Sequence, residues 1–337
     1  MYRVPWRLST SPTVAIRVTE GCGLDCCSGR CAPIPLEQVR SNLERVNQSP
    51  RVDSIVLVGG EPARHPEIMN VVKLAHEIRN KVVLCTNGYD LTSERLSEMR
   101  DAGLWGVNLR VNRSQQRPGW RESSDIQIEG LRSHLAEMVA GVGGLLCSFE
   151  IEVSDGGTRE LADVLAWAER HVDRVQRLVL TYTTPDVTVE SASRPRDLAD
   201  NWRPAGFIAD EATGDSTATI TWRIGRRGNE ILAASSRLLR LLCEYHESTH
   251  RRSFAYLSLQ SLRSQFLCWL ATLSDMSLRP LAREVFASLW QPSKLISPRL
   301  ASQFLFSLDQ PCPPPSAVCP GDSYDSLSTP VESMASG

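Results

Sequence analysis

The sequence lacks several features that would assign it to common classes of protein. It has no run of about 18 consecutive apolar residues, the length a helix needs to cross a bilayer, and Met1–Pro12 lack the apolar core of a secretory signal. It also lacks a basic excess, because 37 Lys and Arg are balanced by 39 Asp and Glu, for a net charge of -2. We therefore expect a cytoplasmic protein with no membrane span and no nucleic-acid partner.

The composition is that of a globular protein. Hydrophobic residues make up 42% and charged residues 23% of the 337 positions, so a sizeable core can form. The length exceeds the roughly 100–200 residues of a typical domain and favours one large domain with an appendage.

Short apolar, β-branched runs alternate with helical patterns six times. The predicted strands are Val14–Val18, Ser54–Val58, Lys81–Leu84, Gly106–Val111, Leu145–Val153 and Arg177–Thr181. The predicted helices are Leu36–Asn47, Pro66–Arg79, Thr92–Ala102, Ile128–Val139 and Thr158–His171. This alternation predicts a parallel sheet with helical crossovers, and the pattern by itself leaves open whether the sheet closes into a barrel.

The character of the sequence changes near Pro185. A polar stretch follows, then a possible strand at Ala218–Ile224, and helical patterns dominate Glu230–Leu308. Beyond Gln310 the composition turns to Pro, Ser and Gly, which is typical of a flexible tail. We predict a core domain over 1–184, a mainly helical extension over 185–308 that caps the core and shapes the substrate pocket, and a tail over 309–337.

Four of the ten cysteines lie within ten residues, directly after the first strand: Cys22, Cys26, Cys27 and Cys31. Clustered cysteines in a cytosolic protein favour metal binding or catalysis, and thiolates suit both iron–sulfur clusters and zinc. Three thiolates would leave one iron of a 4Fe-4S cluster open to a small molecule, whereas four would close the site. A four-thiolate zinc site is the alternative, although zinc loops usually show paired C-x2-C spacing.

Polar groups and glycines end the next three strands. Gly59, Gly60, Glu61 and Pro62 follow the second strand, where glycines let the backbone approach a ligand and a carboxylate faces the ligand crevice. The third strand ends in Cys85-Thr86-Asn87-Gly88, and the fourth carries Asn108, Arg110 and Asn112. The plainer alternative for Glu61 is a solvated residue in a βα turn. We expect His65 to lie at the surface.

Taken in order, these motifs resemble the radical S-adenosylmethionine (radical SAM) superfamily. That family has a Cys-x3-Cys-x2-Cys loop after strand one, then a GGE-Pro motif, then Thr-Asn-Gly. Cys22-x3-Cys26 fits the loop, but Gly29 stands at the third position and the next thiol is Cys31; Cys22-x4-Cys27-x3-Cys31 is the other possible set. Arg110 and Asn112 also depart from the Ser and Asp that the family often has there.

The resemblance implies an α/β fold, a partial (βα)6 TIM-type barrel over about residues 13–182. It implies a 4Fe-4S cluster held by Cys22, Cys26 and Cys31, with Cys27 as the alternative ligand. The residues implied to bind S-adenosylmethionine are Gly59, Gly60, Glu61, Pro62, Thr86, Asn87, Asn108, Arg110 and Asn112, with the carboxylate of Glu61 on the ammonium group of the ligand.

The implied activity is that of a radical SAM oxidoreductase or transferase. Such an enzyme cleaves S-adenosylmethionine reductively to a 5′-deoxyadenosyl radical, which abstracts hydrogen from a substrate. It needs an electron donor such as flavodoxin or ferredoxin. The substrate is expected to be a small molecule or metabolite, and its class is not indicated by the sequence.

Two other patterns compete with this interpretation. His246-Glu247-Ser248-Thr249-His250 matches H-E-x-x-H and would suit a zinc hydrolase, but Arg251 and Arg252 follow at once and would repel a cation. Cys312 and Cys319 could bind a second metal centre, although two thiols are too few and exposed tail thiols are the simpler interpretation. A non-catalytic iron–sulfur or zinc module using all four clustered cysteines is the third alternative.

The four cysteines that lie within apolar strand or helix patterns are expected to be buried small hydrophobes: Cys85, Cys147, Cys243 and Cys268.

Overall fold

The fold was analysed in a computed structural model of the chain. It describes residues 1–5, 12–20, 32–48, 52–115, 117–118, 120, 123–154, 158–183, 205–209, 216–227, 230–233, 236–250 and 302–308. The segment 21–31, with the four clustered cysteines, lies outside the described residues. Cys268, Cys312 and Cys319 also lie outside them.

The described strands form one mixed sheet of twelve strands. In chain order they are β1 (Tyr2–Arg3), β2 (Thr13–Glu20), β3 (Ala32–Pro33), β4 (Ser54–Gly59), β5 (Val82–Thr86), β6 (Leu104–Arg110), β7 (Leu146–Ser154), β8 (Arg177–Thr183), β9 (Gly206–Ala209), β10 (Ser216–Arg227), β11 (Glu230–Ala233) and β12 (Ser302–Leu308). Seven of them, β2, β4, β5, β6, β7, β8 and β12, run parallel side by side in that order.

Helices connect the parallel strands. They are α1 (Leu36–Asn47), α2 (Ile68–Ile78), α3 (Ser93–Asp101), α4 (Asp125–Val142) and α5 (Thr158–Arg170), with short 3-10 turns η1 (Pro62–Arg64) and η2 (Arg113–Gln115). Capping hydrogen bonds mark the starts of α3 and α4: the Thr92 hydroxyl accepts from the Arg95 amide at 3.2 Å, and Ser124 and Gln127 form a capping box.

The six predicted strands and five predicted helices are confirmed, with shifts of a few residues at their ends.

The five helices α1 to α5 cover the same face of the sheet. Their apolar side chains form one core with the strand residues on that face, including Leu57, Leu84, Leu109 and Phe149. The strands β4 and β5 are buried along their whole length, as expected for parallel strands with both faces covered. A doubly wound sheet carries helices on both of its faces. Within the described residues, the helices α1 to α5 lie on one face only, and this arrangement matches a partial TIM-type barrel.

The opposite face carries a smaller apolar cluster and a polar layer. Val56, Val58, Val83, Cys85 and Leu146 form the apolar cluster. This face is the inner face of the partial barrel and, with the C-terminal ends of the strands, positions the candidate site.

Later parts of the chain extend the same sheet. The strand β12 lies parallel to β8, pairing Phe306 with Val179, and antiparallel to β10. The strand predicted at Ala218–Ile224 is confirmed within β10. Within the region Glu230–Leu308, where helical patterns dominate, the structure has the helix α6 (Ser236–His250). Glu230–Ala233 and Ser302–Leu308, however, are strands where a helical pattern was expected, because pairing to β10 and β8 outweighs local propensity. The proposed boundary at residue 184 stays a prediction.

The N-terminus joins the later strands, since Tyr2 pairs in register with Gly206 of β9. Among the helices that the structure describes, none is long and apolar enough to span a bilayer.

Candidate functional site

The segment with the four cysteines begins and ends at one place in the sheet. It leaves β2 after Glu20 and returns at Ala32, and the antiparallel pair β2–β3 places Thr19 opposite Pro33. The amide of Ile34 donates to the Val18 carbonyl at 2.9 Å and closes the return. The neighbouring strand, β4, ends at Gly59 and leads into Gly60-Glu61-Pro62, so this motif lies at the same edge of the sheet as the residues that flank the cysteine segment.

Gly59 allows the end of β4 to touch β2 just before the cysteine segment. Its φ of 139° is one that residues with a side chain rarely adopt, and a Cβ there would stand 2.2 Å from the Thr19 carbonyl oxygen. The Thr19 side chain is completely buried, and its hydroxyl has no hydrogen-bond partner among the described residues. The backbone therefore approaches closely here, three residues before Cys22.

His65 holds the other end of the cysteine segment. The prediction of a surface position is wrong: the side chain is 1% exposed. Its Nδ1 accepts from the Glu67 amide at 3.0 Å, so Nε2 carries the proton that it donates to the Ile34 carbonyl at 2.9 Å. Both ring nitrogens are satisfied by backbone groups, which explains why the ring can be buried.

Glu61 links the end of β4 to the end of β5. It is completely buried; Oε1 accepts from the Thr86 hydroxyl at 2.6 Å and the Ala63 amide at 3.0 Å, and Oε2 accepts from the Asn87 amide at 2.7 Å. Burial raises the pKa of the Glu61 carboxyl, and the three hydrogen bonds oppose that shift. The alternative of a solvated carboxylate is excluded, because the structure brings Glu61, Thr86 and Asn87 into direct contact.

Arg117 connects this group to β6. Its side chain is 3% exposed, and its guanidinium donates to the Asn87 carbonyl and, at 2.9 Å, to the Arg110 carbonyl. The Gln115 side chain also accepts from the Arg117 Nε at 3.2 Å. The turns after β5 and β6 are thus held together by one buried cation.

A polar layer lies on the inner face of β6 and β7. Ser148 donates to Asn108 at 2.8 Å, Asn108 donates to Glu150 at 3.2 Å, and Glu150 forms an ion pair with Arg110 at 3.2 Å. All four side chains are buried. Asn112 lies two residues beyond β6, where its Oδ1 accepts from the Glu152 amide at 3.2 Å. Asn108 and Arg110 therefore share one network, and Asn112 lies at its C-terminal end.

The remaining predictions concern the cysteines and the H-E-x-x-H sequence. Cys22, Cys26, Cys27 and Cys31 lie outside the described residues, as noted above. The H-E-x-x-H sequence ends α6, and the described residues contain no group of three or more His, Cys, Asp or Glu arranged to hold a metal ion. The buried positions of Cys85, Cys147 and Cys243 are confirmed, and burial raises the pKa of the Cys243 thiol to about 12.

Sequence reasoning missed Thr19, Arg117, Ser148 and Glu150. Ser148 and Glu150 could have been found, because they alternate on one face of a predicted strand beside Asn108 and Arg110. Arg117 had no comparable pattern, since it lies in a turn 30 residues from its partner Asn87.

The sequence and the fold were compared with those of known proteins. The sequence model of the radical SAM superfamily matches residues 16–121. The AdoMet-dependent heme synthase of Methanosarcina barkeri is 29% identical over 107 residues, covering 29% of this chain and 30% of the relative. The GTP 3',8-cyclase of Chlorobaculum tepidum is 35% identical over 107 residues, covering 29% of this chain and 32% of the relative.

This chain thus spans about a third of the length of the curated relatives it matches. The crystal structure of Streptococcus suis SuiB bound to S-adenosylmethionine aligns with a TM-score of 0.39 at 15% identity, covering 54% of this chain and 42% of that chain. The matched segment includes β4, β5 and β6 with the turns that follow them, which are the turns joined by Glu61 and Arg117. Over residues 16–121, the chain is thus similar in sequence to the radical SAM superfamily.

Proposed function

We propose that this chain is a radical SAM enzyme that binds a 4Fe-4S cluster and cleaves S-adenosylmethionine reductively. In this proposal Cys22, Cys31 and one of Cys26 and Cys27 hold the cluster. The enzyme acts on a small-molecule or metabolite substrate in the cytoplasm and takes electrons from a flavodoxin-type or ferredoxin-type protein.

One observation carries the proposal: the chain from Gly59 to His65, which contains the GGE-Pro motif, contacts the residues on both sides of the cysteine segment. Gly59 lies against Thr19, which precedes the segment, and His65 donates to Ile34, which follows it. The residues present fit a bound cluster with a small ligand, because a buried hydroxyl at Thr19 and a glycine backbone free of side chains lie beside the cysteine segment.

Cys22, Cys31 and one of Cys26 and Cys27 would hold the cluster, which would supply the electron for reductive cleavage of S-adenosylmethionine to methionine and a 5′-deoxyadenosyl radical. The protein's own contribution is binding and orientation. The backbone of Gly59 and Gly60 would receive the amino group. Glu61, whose carboxylate oxygens accept from Ala63, Thr86 and Asn87, supports this by holding the turn against Thr86 and Asn87.

The polar layer suits the carboxylate and ribose of the same ligand. Arg110 carries a positive charge on the inner face, and its pairing with Glu150 keeps the buried guanidinium compensated until a carboxylate arrives. Asn108 is oriented by its hydrogen bonds with Ser148 and Glu150. Asn112 offers an amide at the end of this row.

The two curated relatives carry names for different reactions, heme synthesis and the cyclisation of GTP. Both match over only 29% of this chain. Support for cleavage of S-adenosylmethionine comes from the match of residues 16–121 to the radical SAM superfamily, and the names of the two relatives indicate no common substrate.

The test is anaerobic reconstitution with iron and sulfide, followed by reduction with dithionite in the presence of S-adenosylmethionine. We expect about four irons per chain and slow formation of 5′-deoxyadenosine and methionine without any substrate. S-adenosylhomocysteine as the product would indicate methyl transfer instead. An intact cluster that yields neither product would favour the non-catalytic iron–sulfur module, and zinc without iron would favour the zinc site.

Cysteine variants identify the ligands in the same preparation. Cys22→Ala and Cys31→Ala should abolish the cluster, and only one of Cys26→Ala and Cys27→Ala should do so. Cys312→Ala and Cys319→Ala are the matched controls and should keep the full iron content. Loss of iron in both Cys26→Ala and Cys27→Ala would show four ligands and contradict an open iron.

A further inference from the structure

Thr19 carries a buried hydroxyl group that has no hydrogen-bond partner among the described residues. The side chain is 0% exposed, and it lies at the end of β2. A buried hydroxyl without a partner destabilises the folded state, whereas valine has almost the same shape and avoids that penalty. The same strand has valine at two other buried positions, Val14 and Val18. The hydroxyl of Thr19 therefore needs a partner, and a bound ligand can provide one.

The position of the hydroxyl indicates which ligand group would meet it. Thr19 pairs in register with Gly59, and a Cβ built on Gly59 would stand 2.5 Å from the Thr19 Oγ1. The hydroxyl thus lies directly against the Gly59 backbone, where the proposed function places the amino group of S-adenosylmethionine. Gly60, the next residue, is partly exposed, so the hydroxyl lies one residue behind the surface that the ligand would meet.

The amino group needs oxygen acceptors, and the Glu61 carboxylate already accepts from the protein. Its two oxygens accept from Ala63, Thr86 and Asn87, and its side chain is completely buried. An amino group on a metal or in its ammonium form offers N–H donors only, whereas a hydroxyl oxygen accepts through its lone pairs. The Thr19 Oγ1 is such an acceptor at the same turn.

We propose that the Thr19 hydroxyl accepts a hydrogen bond from the α-amino group of S-adenosylmethionine, beside the backbone of Gly59 and Gly60. It then takes the role that the sequence assigns to the Glu61 carboxylate. The inference rests on the proposed function, because it names a further binding residue for the same ligand. It also has a consequence for stability: the hydroxyl lowers the stability of the ligand-free chain and raises its affinity for the ligand.

Thr19→Val tests the contact, because it removes the hydroxyl and keeps the shape of the side chain. In the reconstituted full chain we expect unchanged iron content and a loss of affinity for S-adenosylmethionine of at least about tenfold, as for one hydrogen bond to a charged group. Anaerobic calorimetry measures this. Parent and variant should bind equally the analogue in which hydrogen replaces the α-amino group. Thr19→Ser keeps the hydroxyl and should keep most of the affinity.

Unfolding in urea before reconstitution provides a readout that does not depend on the cluster. Thr19→Val should not lower the unfolding midpoint, because no hydrogen bond within the protein is lost. Thr13→Val, at the other end of β2, is the matched control. The Thr13 hydroxyl lies 2.9 Å from the Ser54 hydroxyl, so its loss should lower the midpoint and leave the affinity for S-adenosylmethionine unchanged.

The outcomes separate this inference from the proposed function. A parent chain that takes up no iron, or that takes up iron and binds no S-adenosylmethionine, would overturn both. If the parent binds S-adenosylmethionine and Thr19→Val binds it equally well, only the inference fails. It fails as well if Thr19→Val loses the same affinity for the deaminated analogue. A lower midpoint or lost iron in Thr19→Val would show that the hydroxyl bonds to the protein itself and would also overturn it.

Discussion

Glu61 shows how a buried carboxylate organises a turn. Its two oxygens accept three hydrogen bonds from groups on two strand ends, and no part of the side chain reaches solvent. A carboxylate is acceptor-only, so it suits a place where three donors converge. The sequence predicted that Glu61 contacts the ammonium group of S-adenosylmethionine. In the structure, protein groups already surround the Glu61 side chain.

Replacing Glu61 with Gln should lower the free energy of unfolding by about 1.5–3 kcal/mol, because charge-assisted hydrogen bonds are lost and the new NH2 group meets a donor. Urea unfolding of the purified chain measures this. Glu98→Gln, at an exposed position on α3, is the control and should change the free energy by less than about 0.5 kcal/mol.

The two possible roles of Glu61 predict different results. A positioning role predicts loss of stability together with weaker binding of S-adenosylmethionine. Unchanged stability with a ten- to hundredfold loss of affinity, which is about 1.4–2.7 kcal/mol, would establish the direct contact and contradict the positioning role.

At the scale of elements, the segment from β4 through η1 connects three parts of the site. Gly59 contacts β2, Glu61 contacts the end of β5, and His65 contacts the residue that follows β3. A short turn can make these contacts because its glycine adopts a positive φ and because η1 begins with Pro62, whose fixed φ suits a first helical position.

Gly59→Ala should therefore disturb the cysteine segment. The new Cβ would meet the Thr19 carbonyl, which is backbone and cannot move aside without shifting β2. We expect a loss of stability of at least about 1–3 kcal/mol and a lower iron content after reconstitution, measured by unfolding and by iron analysis.

Gly141→Ala is the matched control, because Gly141 lies in α4 and a Cβ there meets no atom within 4 Å. It should raise stability by about 0.5–1 kcal/mol, since alanine favours a helix more than glycine does. Equal iron content and stability in Gly59→Ala and Gly141→Ala would show that the Gly59–Thr19 contact does not hold the segment.

At the scale of the whole molecule, the sheet does not end where the sequence resemblance ends. The strand β12 pairs with both β8 and β10, so residues near position 305 join the parallel strands to the later strands of the sheet. Such pairing over a long stretch of chain makes the later residues part of the core sheet.

A chain that ends at residue 300 should lose β12 and with it the link between β8 and β10. Without β12, the strands β8 and β10 would each expose an unpaired edge, and exposed edges promote aggregation. Size-exclusion chromatography with light scattering should show association, and the unfolding midpoint should fall. A chain that ends at residue 309 retains β12 and should match the parent; equal behaviour of the two truncated chains would show that β12 contributes little.

The sequence by itself determined the repeating units of this protein. Apolar runs of strand length and amphipathic helical patterns predicted the six strands and five helices, because each depends on neighbouring residues alone. The same holds for two motifs, the glycines and glutamate at the end of β4 and the clustered cysteines. Each could be recognised from a few neighbouring residues. The resemblance of these motifs pointed to the same superfamily whose sequence model matches residues 16–121.

Only the tertiary structure decided which groups meet. His65 bonds Ile34 across 31 positions, Arg117 bonds Asn87 across 30, and Asn108 bonds Glu150 across 42. These contacts depend on strand register and on the turn each glycine permits, and a local pattern contains neither. The burial of His65, the addition of β12 to the sheet and the burial of the Thr19 hydroxyl follow from that register, because packing between distant segments determines which polar groups are enclosed and which partners they find.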